Sequence, residues 1–274
     1  MQKKHDVMRV AVDADFQPQR RCWLKAALVA PWVAPWLVQA QSPARIKVAA
    51  ASNLKFVLAD LVNQYRQQTG VQVDVNLGAS GNLARQILQG LPVEQFISAD
   101  EVWVAELAKA GRSVEAGPVS ATGRLGRVVP KNSALTLARG LVAVVRALKP
   151  GDKFAIANPT LAPYGVAAVE ALQRAGVGPL PAARQVLGDS IGQATQFVAT
   201  GAAQAGITAL ALAQAPEIAR SLQVLPLPAE LHAPLHQRMV LLKGAGVAAA
   251  NWHRFLLSAP AQAVFVRHGY ALPQ

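Results

Sequence analysis

Four short turns in the sequence combine small residues with hydroxyl or amide groups at points where a strand is predicted to end and a helix to begin. They cover Ser52-Asn53 and residues 78–81, 158–165 and 189–192. The first N–H groups of a helix have no acceptor inside the helix, and they carry the positive end of its dipole. Each turn can therefore receive a negatively charged ligand, so the chemistry expected of the four together is anion binding.

The second turn shows the pattern most clearly. Apolar and polar residues alternate over residues 71–77, Gly78-Ala79-Ser80-Gly81 interrupts the strand, and residues 83–88 have helical spacing. No Lys or Arg lies in this turn, so an anion bound here would be held by dipoles and neutral hydrogen bonds. For this turn alone a capped helix without a ligand is the simpler interpretation. Its repetition along the chain is what favours a binding site.

The elements around these turns alternate between strand and helix. The apolar runs that precede the turns cover residues 46–51, 71–77, 154–157 and 186–188, and the helical runs that follow cover 54–65, 83–88, 166–175 and 194–201. Further strands are predicted over residues 96–99, 127–130, 205–208, 222–225 and 237–242, and two closing helices over 248–257 and 261–266. Alternation of this kind predicts an α/β fold with parallel sheets covered on both faces, which binds ligands beyond the carboxyl ends of its strands. Because each half of the chain supplies two turns, we expect a cleft between two α/β lobes.

Other residues with catalytic or metal-binding potential lie in less favourable settings. Asp100 and Glu101 precede a predicted helix, and capping of that helix by Asp100 is a simpler interpretation of the pair than acid/base chemistry or metal binding. His232 and His236 flank Pro234, which disrupts the helical pairing expected of two zinc ligands. The sequence contains neither the Gly-Lys-Ser/Thr ending of a phosphate loop nor His-Glu-x-x-His, and no serine has an evident base nearby in sequence.

The composition limits the classes of protein. Of 274 residues, 52% are hydrophobic and 15% are charged, which indicates a folded chain with one large or two modest domains rather than a disordered one. A formal net charge of +12 is compatible with nucleic-acid binding. Lys and Arg are scattered as single residues, however, and no nucleic-acid-binding signature is found. No nucleic-acid partner is therefore predicted.

Residues 1–40 have the composition of a secretory signal peptide. An Arg pair at positions 20–21 precedes an apolar run over residues 23–38, and the small residue Ala40 follows at the expected cleavage point. The Arg pair also fits a twin-arginine signal, with a general secretory signal as the alternative. Removal of this segment leaves 21 basic and 12 acidic residues, a formal net charge of +9, and takes away Cys22, the single cysteine. We therefore predict an exported protein without disulfides.

Five segments, taken together and in this order, resemble the periplasmic molybdate-binding proteins of ABC transporters. The segments are Ala49-Ala50-Ala51-Ser52-Asn53, Gly78 to Ile87, Phe96 to Asp100, Asn158-Pro159 with Ala162-Pro163-Tyr164-Gly165, and a tail from Phe255 to Tyr270. The resemblance begins near residue 45 and extends to the end of the chain. It implies a type II periplasmic binding protein fold with two α/β lobes around a ligand cleft. Lobe 1 would comprise residues 41–123 and 226–274, and lobe 2 residues 124–225.

The resemblance also implies how the ligand is bound. Ser52 and Ser80 would donate hydroxyl and backbone N–H hydrogen bonds from lobe 1, and Asn53 would reach the ligand beside Ser52. Tyr164 and Ile191 would donate backbone N–H groups from lobe 2. The implied ligand is molybdate, with tungstate, held as an oxyanion, and no cofactor is implied. The implied partner is a membrane ABC permease, supplied with the anion by a monomeric periplasmic protein that is not an enzyme.

One departure and three alternatives accompany this interpretation. Ala209 stands where some members of the family place a tyrosine hydroxyl, so one donor is missing. The same fold could hold sulfate, phosphate or another small ligand. An exported hydrolase with Ser52 or Ser80 as its nucleophile is a second alternative, and a ligand-sensing domain is a third.

Overall fold

The computed structural model describes residues 44–273, so the predicted signal peptide over residues 1–40 lies outside the described residues. Within residues 44–273 the chain forms ten strands and ten α-helices. The strands are β1 (Arg45–Ala51), β2 (Gln72–Gly78), β3 (Gln95–Ser98), β4 (Val119–Gly123), β5 (Leu125–Pro130), β6 (Phe154–Ala157), β7 (Gln185–Gly188), β8 (Ala205–Ala209), β9 (Leu222–Pro226) and β10 (Leu235–Leu241). The helices are α1 (Lys55–Thr69), α2 (Ser80–Leu88), α3 (Val102–Lys109), α4 (Leu141–Arg146), α5 (Pro163–Arg174), α6 (Ile191–Ala199), α7 (Leu210–Gln214), α8 (Pro216–Ala219), α9 (Val247–Leu256) and α10 (Ala259–Arg267).

Two five-stranded sheets organise these elements. The first has the strand order β2-β1-β3-β10-β4, and we refer to this sheet and its helices as lobe 1. The second has the order β7-β6-β8-β5-β9 and defines lobe 2 in the same way. In lobe 1, β1 is parallel to β2 and β3. In lobe 2, β6 is parallel to β7 and β8.

The chain passes between the two sheets twice. β4 ends at Gly123 and β5 begins at Leu125, and later β9 ends at Pro226 and β10 begins at Leu235. Strands β10 and β5 run antiparallel to both of their neighbours. The prediction of wholly parallel sheets is therefore wrong. These two strands enter their sheets from the other lobe, and antiparallel pairing needs no helical crossover within one sheet.

Buried apolar side chains fill both lobes and continue between them. A single cluster includes Ile46 and Leu58 of lobe 1 and Phe154 and Ile207 of lobe 2, each at most 1% exposed. Smaller clusters lie under the opposite face of each sheet, so both sheets are covered on both faces, as expected for α/β lobes. No helix of residues 44–273 is long and apolar enough to cross a membrane.

Two helices begin earlier than their periodicity predicts. Helix α2 includes Ser80 and Gly81, and α5 begins at Pro163, which places Tyr164 in its first turn. Proline is favoured at the first position of a helix because its fixed φ fits and its missing N–H leaves no donor unpaired. The periodicity of apolar residues does not identify the residues of a first helical turn, because that turn is defined by its free N–H groups rather than by an apolar face.

Candidate functional site

The carboxyl ends of β1 and β2 bring the two predicted serines to neighbouring positions. Ala51 at the end of β1 is paired with Gly78 at the end of β2, and paired strands lie roughly 4.8 Å apart. Ser52 follows Ala51 directly, and Ser80 is the first residue of α2. The sheet therefore places both side chains at one edge of lobe 1.

Both serine hydroxyls accept a hydrogen bond from a backbone N–H group. Ser52 Oγ accepts from Gly192 N at 3.1 Å, and Ser80 Oγ accepts from Ala99 N at 3.0 Å. A serine hydroxyl has one hydrogen to donate and two lone pairs. Within residues 44–273 neither hydroxyl donates its hydrogen to a protein acceptor. Each is thus held in position by an accepted bond and can donate to an anion.

Lobe 2 repeats this arrangement with backbone groups. Ala157 at the end of β6 is paired with Gly188 at the end of β7, and helices α5 and α6 follow these two strands. Tyr164 is the second residue of α5, and Ile191 is the first residue of α6. In the described part of the chain no acceptor pairs with the backbone N–H of either residue. Both N–H groups lie at the positive end of a helix dipole.

Two hydrogen bonds join the lobes beside these donors. One is the bond from Gly192 N to Ser52 Oγ at 3.1 Å. The other runs between backbone atoms, from Gly81 N to Leu161 O at 2.9 Å. Ser52 takes part in the first contact, and Ile191 precedes Gly192. Ser80 precedes Gly81, and Tyr164 follows Leu161 by three residues. The structure thus gathers uncharged donors from both lobes at one junction.

Asn53 has different surroundings from the serine before it. Its side chain is buried, and Nδ2 donates to Gln237 Oε1 at 2.8 Å and to Tyr270 OH at 3.1 Å. Tyr270 OH in turn donates to the backbone oxygen of Asn53 at 2.8 Å. Both amide hydrogens of Asn53 are therefore used, and only its backbone N–H is left as a donor for the predicted ligand contact.

The Tyr164 side chain extends away from the ligand turns toward the crossing between lobes. It is 1% exposed, and its hydroxyl has no hydrogen-bond partner among the described residues. A Cβ atom on Gly123 would lie 2.1 Å from this hydroxyl and 3.1 Å from Gln237 Nε2. Burial, with a smaller effect of Tyr270, raises the pKa of Tyr164 well above its usual value. The hydroxyl is therefore protonated. Because the side chain is buried beside Gly123 and away from the turns, the backbone N–H is the group of Tyr164 that can contact the predicted anion.

Asp100 at the start of α3 caps the helix, as predicted, whereas the Glu101 side chain is bonded to Arg238. Asp100 Oδ1 accepts from Ser98 Oγ at 3.0 Å and from Trp103 N at 3.4 Å, and burial raises the pKa of Asp100. Hydrogen bonds from Arg238 lower the pKa of Glu101. No group of three or more potential metal-ligating side chains occurs within the described residues. These carboxylates have structural partners, and the predicted anion site does not include them.

Lobe 2 contains a serine motif that bears on the hydrolase alternative and that was not recognised from the sequence. Residues 188–192 read Gly-Asp-Ser-Ile-Gly, the Gly-x-Ser-x-Gly spacing of a nucleophile elbow. Ser190 has an extended backbone with φ of −140°, and its hydroxyl accepts from Gln193 N at 3.4 Å as the cap of α6. Within the described chain no His, Lys or carboxylate is hydrogen-bonded to the hydroxyl of Ser190, Ser52 or Ser80. None of the three serines has the adjacent base that a nucleophile requires.

A cleft of about 370 Å³ lies beside the junction and is lined by both lobes. Trp103 and Leu235 contribute from lobe 1, and Pro159, Pro163 and Val166 from lobe 2. None of the five predicted site residues lines this cleft. The anion site inferred from the turns and this cleft are therefore separate features of the boundary between the lobes.

The contacts that join the lobes have no local signal in the sequence. Gly192 of lobe 2 and Ser52 of lobe 1 are separated by 140 residues in sequence. Within lobe 1, the bonded residues Gln237 and Asn53 are separated by 184. Leu161 contributes only its backbone oxygen to the contact with Gly81, so the type of its side chain does not indicate that contact. Local sequence patterns indicate approximately where a helix begins, and they contain no information about which helix N-termini meet across the boundary between the lobes.

Comparison with known proteins gives sequence matches over most of the chain. Residues 46–271 match the family model for bacterial extracellular solute-binding proteins. The molybdate-binding protein ModA of Azotobacter vinelandii is 34% identical over 241 residues, which cover 86% of this chain and 93% of that relative. ModA of Rhodobacter capsulatus is 33% identical over 224 residues, which cover 81% of this chain and 86% of that relative.

Solved structures show the same architecture. The periplasmic molybdate-binding protein of Azotobacter vinelandii matches with a TM-score of 0.74 at 31% identity, covering 84% of this chain and 100% of that one. The sulfate-binding protein SubI of Mycobacterium tuberculosis matches with a TM-score of 0.69 at 18% identity, covering 83% of this chain and 86% of that one. At this lower identity the second match shows the fold alone. The predicted two-lobed α/β fold is confirmed.

Proposed function

The chain belongs to the family of bacterial extracellular solute-binding proteins, and from this premise we propose that it captures molybdate between its two lobes and delivers it to an ABC permease. The predicted relation to the molybdate-binding proteins is confirmed by the ModA relatives. Those relatives are binding proteins rather than enzymes, and we propose that this chain too has no catalytic activity.

One observation carries the proposal, namely that four uncharged donors without a protein acceptor lie at one junction. They are the hydroxyls of Ser52 and Ser80 and the backbone N–H groups of Tyr164 and Ile191. A buried donor without a partner costs about 1–3 kcal/mol. A tetrahedral oxyanion supplies four oxygen acceptors, so its binding would satisfy donors that the protein leaves unpaired.

Because these donors are uncharged, they are also suited to releasing the anion to a permease. A dianion removed from water has to be fully hydrogen-bonded, because an unpaired buried charge is strongly unfavourable. Dipoles and hydroxyls provide those bonds without a buried counter-ion. Since the donors come from both lobes, separation of the lobes would remove half of them at once. Opening at the permease would therefore weaken binding and release the anion.

Several finer points belong to the same proposal. Tungstate is also a tetrahedral dianion, so we propose that it binds at the same site. We propose that the protein acts as a periplasmic monomer, with lobe 1 comprising residues 41–123 and 226–274 and lobe 2 residues 124–225. Asn53 would contribute its backbone N–H, because its side-chain hydrogens are used elsewhere. No cofactor takes part.

Ala209 bears on which anion is preferred. It lies fully buried at the end of β8, paired with Leu125 at the start of β5. A methyl group here offers no hydrogen bond, so the anion would be held by the donors from the four turns alone. Sulfate carries the same charge as molybdate but is smaller. Selection between them would therefore depend on how closely the lobes approach.

We expect molybdate to raise the melting temperature of the protein. A ligand at about 100 times its Kd adds roughly 2.7 kcal/mol to the free energy of unfolding. Differential scanning fluorimetry with molybdate, tungstate, sulfate and phosphate at equal ionic strength measures this directly. Large shifts with the first two anions and a small one with sulfate are expected. A clear shift with sulfate and none with molybdate would contradict the proposed ligand.

A further inference from the structure

The first turn of α2 touches lobe 2 at a residue that has no side chain. Gly81 N donates to Leu161 O at 2.9 Å, a contact between two backbone groups. A Cβ atom on Gly81 would lie 2.8 Å from Leu161 O and 2.6 Å from Cζ2 of Trp103. Both distances are shorter than side-chain atoms tolerate, so any larger residue requires something to move.

The two neighbours differ in how readily they can move. Trp103 is half-buried and lines the cleft beside the junction, so there is open space next to its side chain. Leu161 O belongs to a turn in which Leu161 N and Ala162 N both donate to Asn158 O, at 3.1 and 2.9 Å, and Asn158 N is bonded to Gly188 O at 2.7 Å. This backbone is fixed to lobe 2, so relief of the contact requires separation of the lobes.

The second contact between the lobes has more room. A Cβ atom on Gly192 would lie 3.4 Å from Ser52 Cβ and Oγ, an ordinary van der Waals distance. The approach of the lobes at this junction is therefore limited at Gly81. Gly81 also lies inside α2, where no unusual backbone angle calls for glycine. Glycine normally destabilises a helix. The close approach of the two backbones is therefore the physical reason that remains for glycine at position 81.

We propose that Gly81 is a positioning residue for lobe closure. The absence of a side chain lets α2 reach the backbone of lobe 2 and thereby sets the distance between Ser80 and the N–H groups of Tyr164 and Ile191. The consequence for the anion rests on the proposed function, whereas the effect on closure does not.

The substitution Gly81→Ala tests the expected effect on molybdate binding. If the closed state is about one tenth as populated in the variant as in the wild type, the apparent Kd for molybdate rises roughly tenfold. This is because the apparent affinity is proportional to the fraction of molecules in the binding-competent state. Isothermal titration calorimetry measures the change. Gly246→Ala is the matched control, since a Cβ there meets only Glu94 Oε1 at 3.4 Å. Gly81→Ala with the affinity of the wild type would overturn the proposal.

A cross-link measures closure without any ligand. The substitutions Ser52→Cys and Gly192→Cys place two Cβ atoms close to the roughly 3.8 Å found in disulfides, and Cys22→Ser removes the single native cysteine. The rate of disulfide formation across the junction is measured from the change in mobility on non-reducing gels. Adding Gly81→Ala should slow it roughly tenfold, and Gly246→Ala should not. Equal rates in the Gly81→Ala and parent proteins would overturn the proposal, even if molybdate proved not to bind.

A double variant separates closure from local packing. Trp103→Leu removes the ring that a Cβ at Gly81 would strike and leaves Leu161 O in place. If Gly81 acts through closure, Gly81→Ala with Trp103→Leu cross-links as slowly as Gly81→Ala alone. Recovery of the rate in the double variant would assign the effect to packing against Trp103 and would contradict the proposal. If the wild type binds no molybdate but Gly81→Ala slows the cross-link, the proposed function fails and the closure role stands.

Discussion

Replacing Ser52 with aspartate is expected to weaken molybdate binding at least about a thousandfold. The carboxylate can still accept from Gly192 N, which lies 3.1 Å from the wild-type hydroxyl, but it places a negative charge beside the proposed position of the dianion. Like charges about 4 Å apart repel by roughly 4 kcal/mol at the effective dielectric near a protein surface. Each 1.4 kcal/mol is about a factor of ten in Kd. Calorimetric titration with molybdate measures the loss.

Ser52→Asn is the matched control for this substitution. Asparagine has the shape of aspartate without its charge, so it removes the hydroxyl donor and adds no repulsion. A hydrogen bond to a charged group contributes about 1.5–3 kcal/mol, so roughly a ten- to hundredfold loss is expected. Circular dichroism checks that both variants are folded. Equal affinities of the aspartate and asparagine variants would place Ser52 away from the bound anion.

Replacing Trp252 with alanine is expected to lower the free energy of unfolding by about 3–5 kcal/mol. Trp252 on α9 is fully buried, with its ring centroid 5.1 Å from that of Tyr65 on α1 and 5.6 Å from that of Phe255. These rings join the last part of the chain to the first helix of lobe 1. Urea denaturation measures the loss.

Trp252→Phe provides the comparison for the alanine variant. Phenylalanine keeps a ring in the cluster and removes Nε1–H, which is buried without a partner among residues 44–273. The loss should therefore be clearly smaller than for alanine. If the two variants lost equal stability, the ring contacts of Trp252 would not be the source of its effect.

Much of the fold could be predicted because strand and helix patterns change sharply at the turns. The alternation over residues 71–77 corresponds to β2, and the helical run predicted over residues 54–65 corresponds to α1, which ends at the left-handed cap Gly70. The direction of β5 and β10 could not be predicted. Their own residues read as ordinary apolar strands, and their orientation follows from the crossing between lobes rather than from any local pattern.

The candidate site was predictable in part for the same reason. Helix N-termini identify where free N–H groups lie, so the turns holding Ser80 and Tyr164 could be found one at a time. Asn53 shows the limit of this reasoning, because its hydrogens are taken by Gln237 and Tyr270 from the far end of the sequence. Which turns meet is decided by the packing of the lobes, and a single sequence does not display it.

Isothermal titration calorimetry of the full protein with molybdate, and separately with sulfate, tests the central claim most directly. Neutral donors from both lobes around one tetrahedral dianion predict a single molybdate site per chain, with sulfate bound more weakly. The absence of molybdate binding, or tighter binding of sulfate, would contradict it.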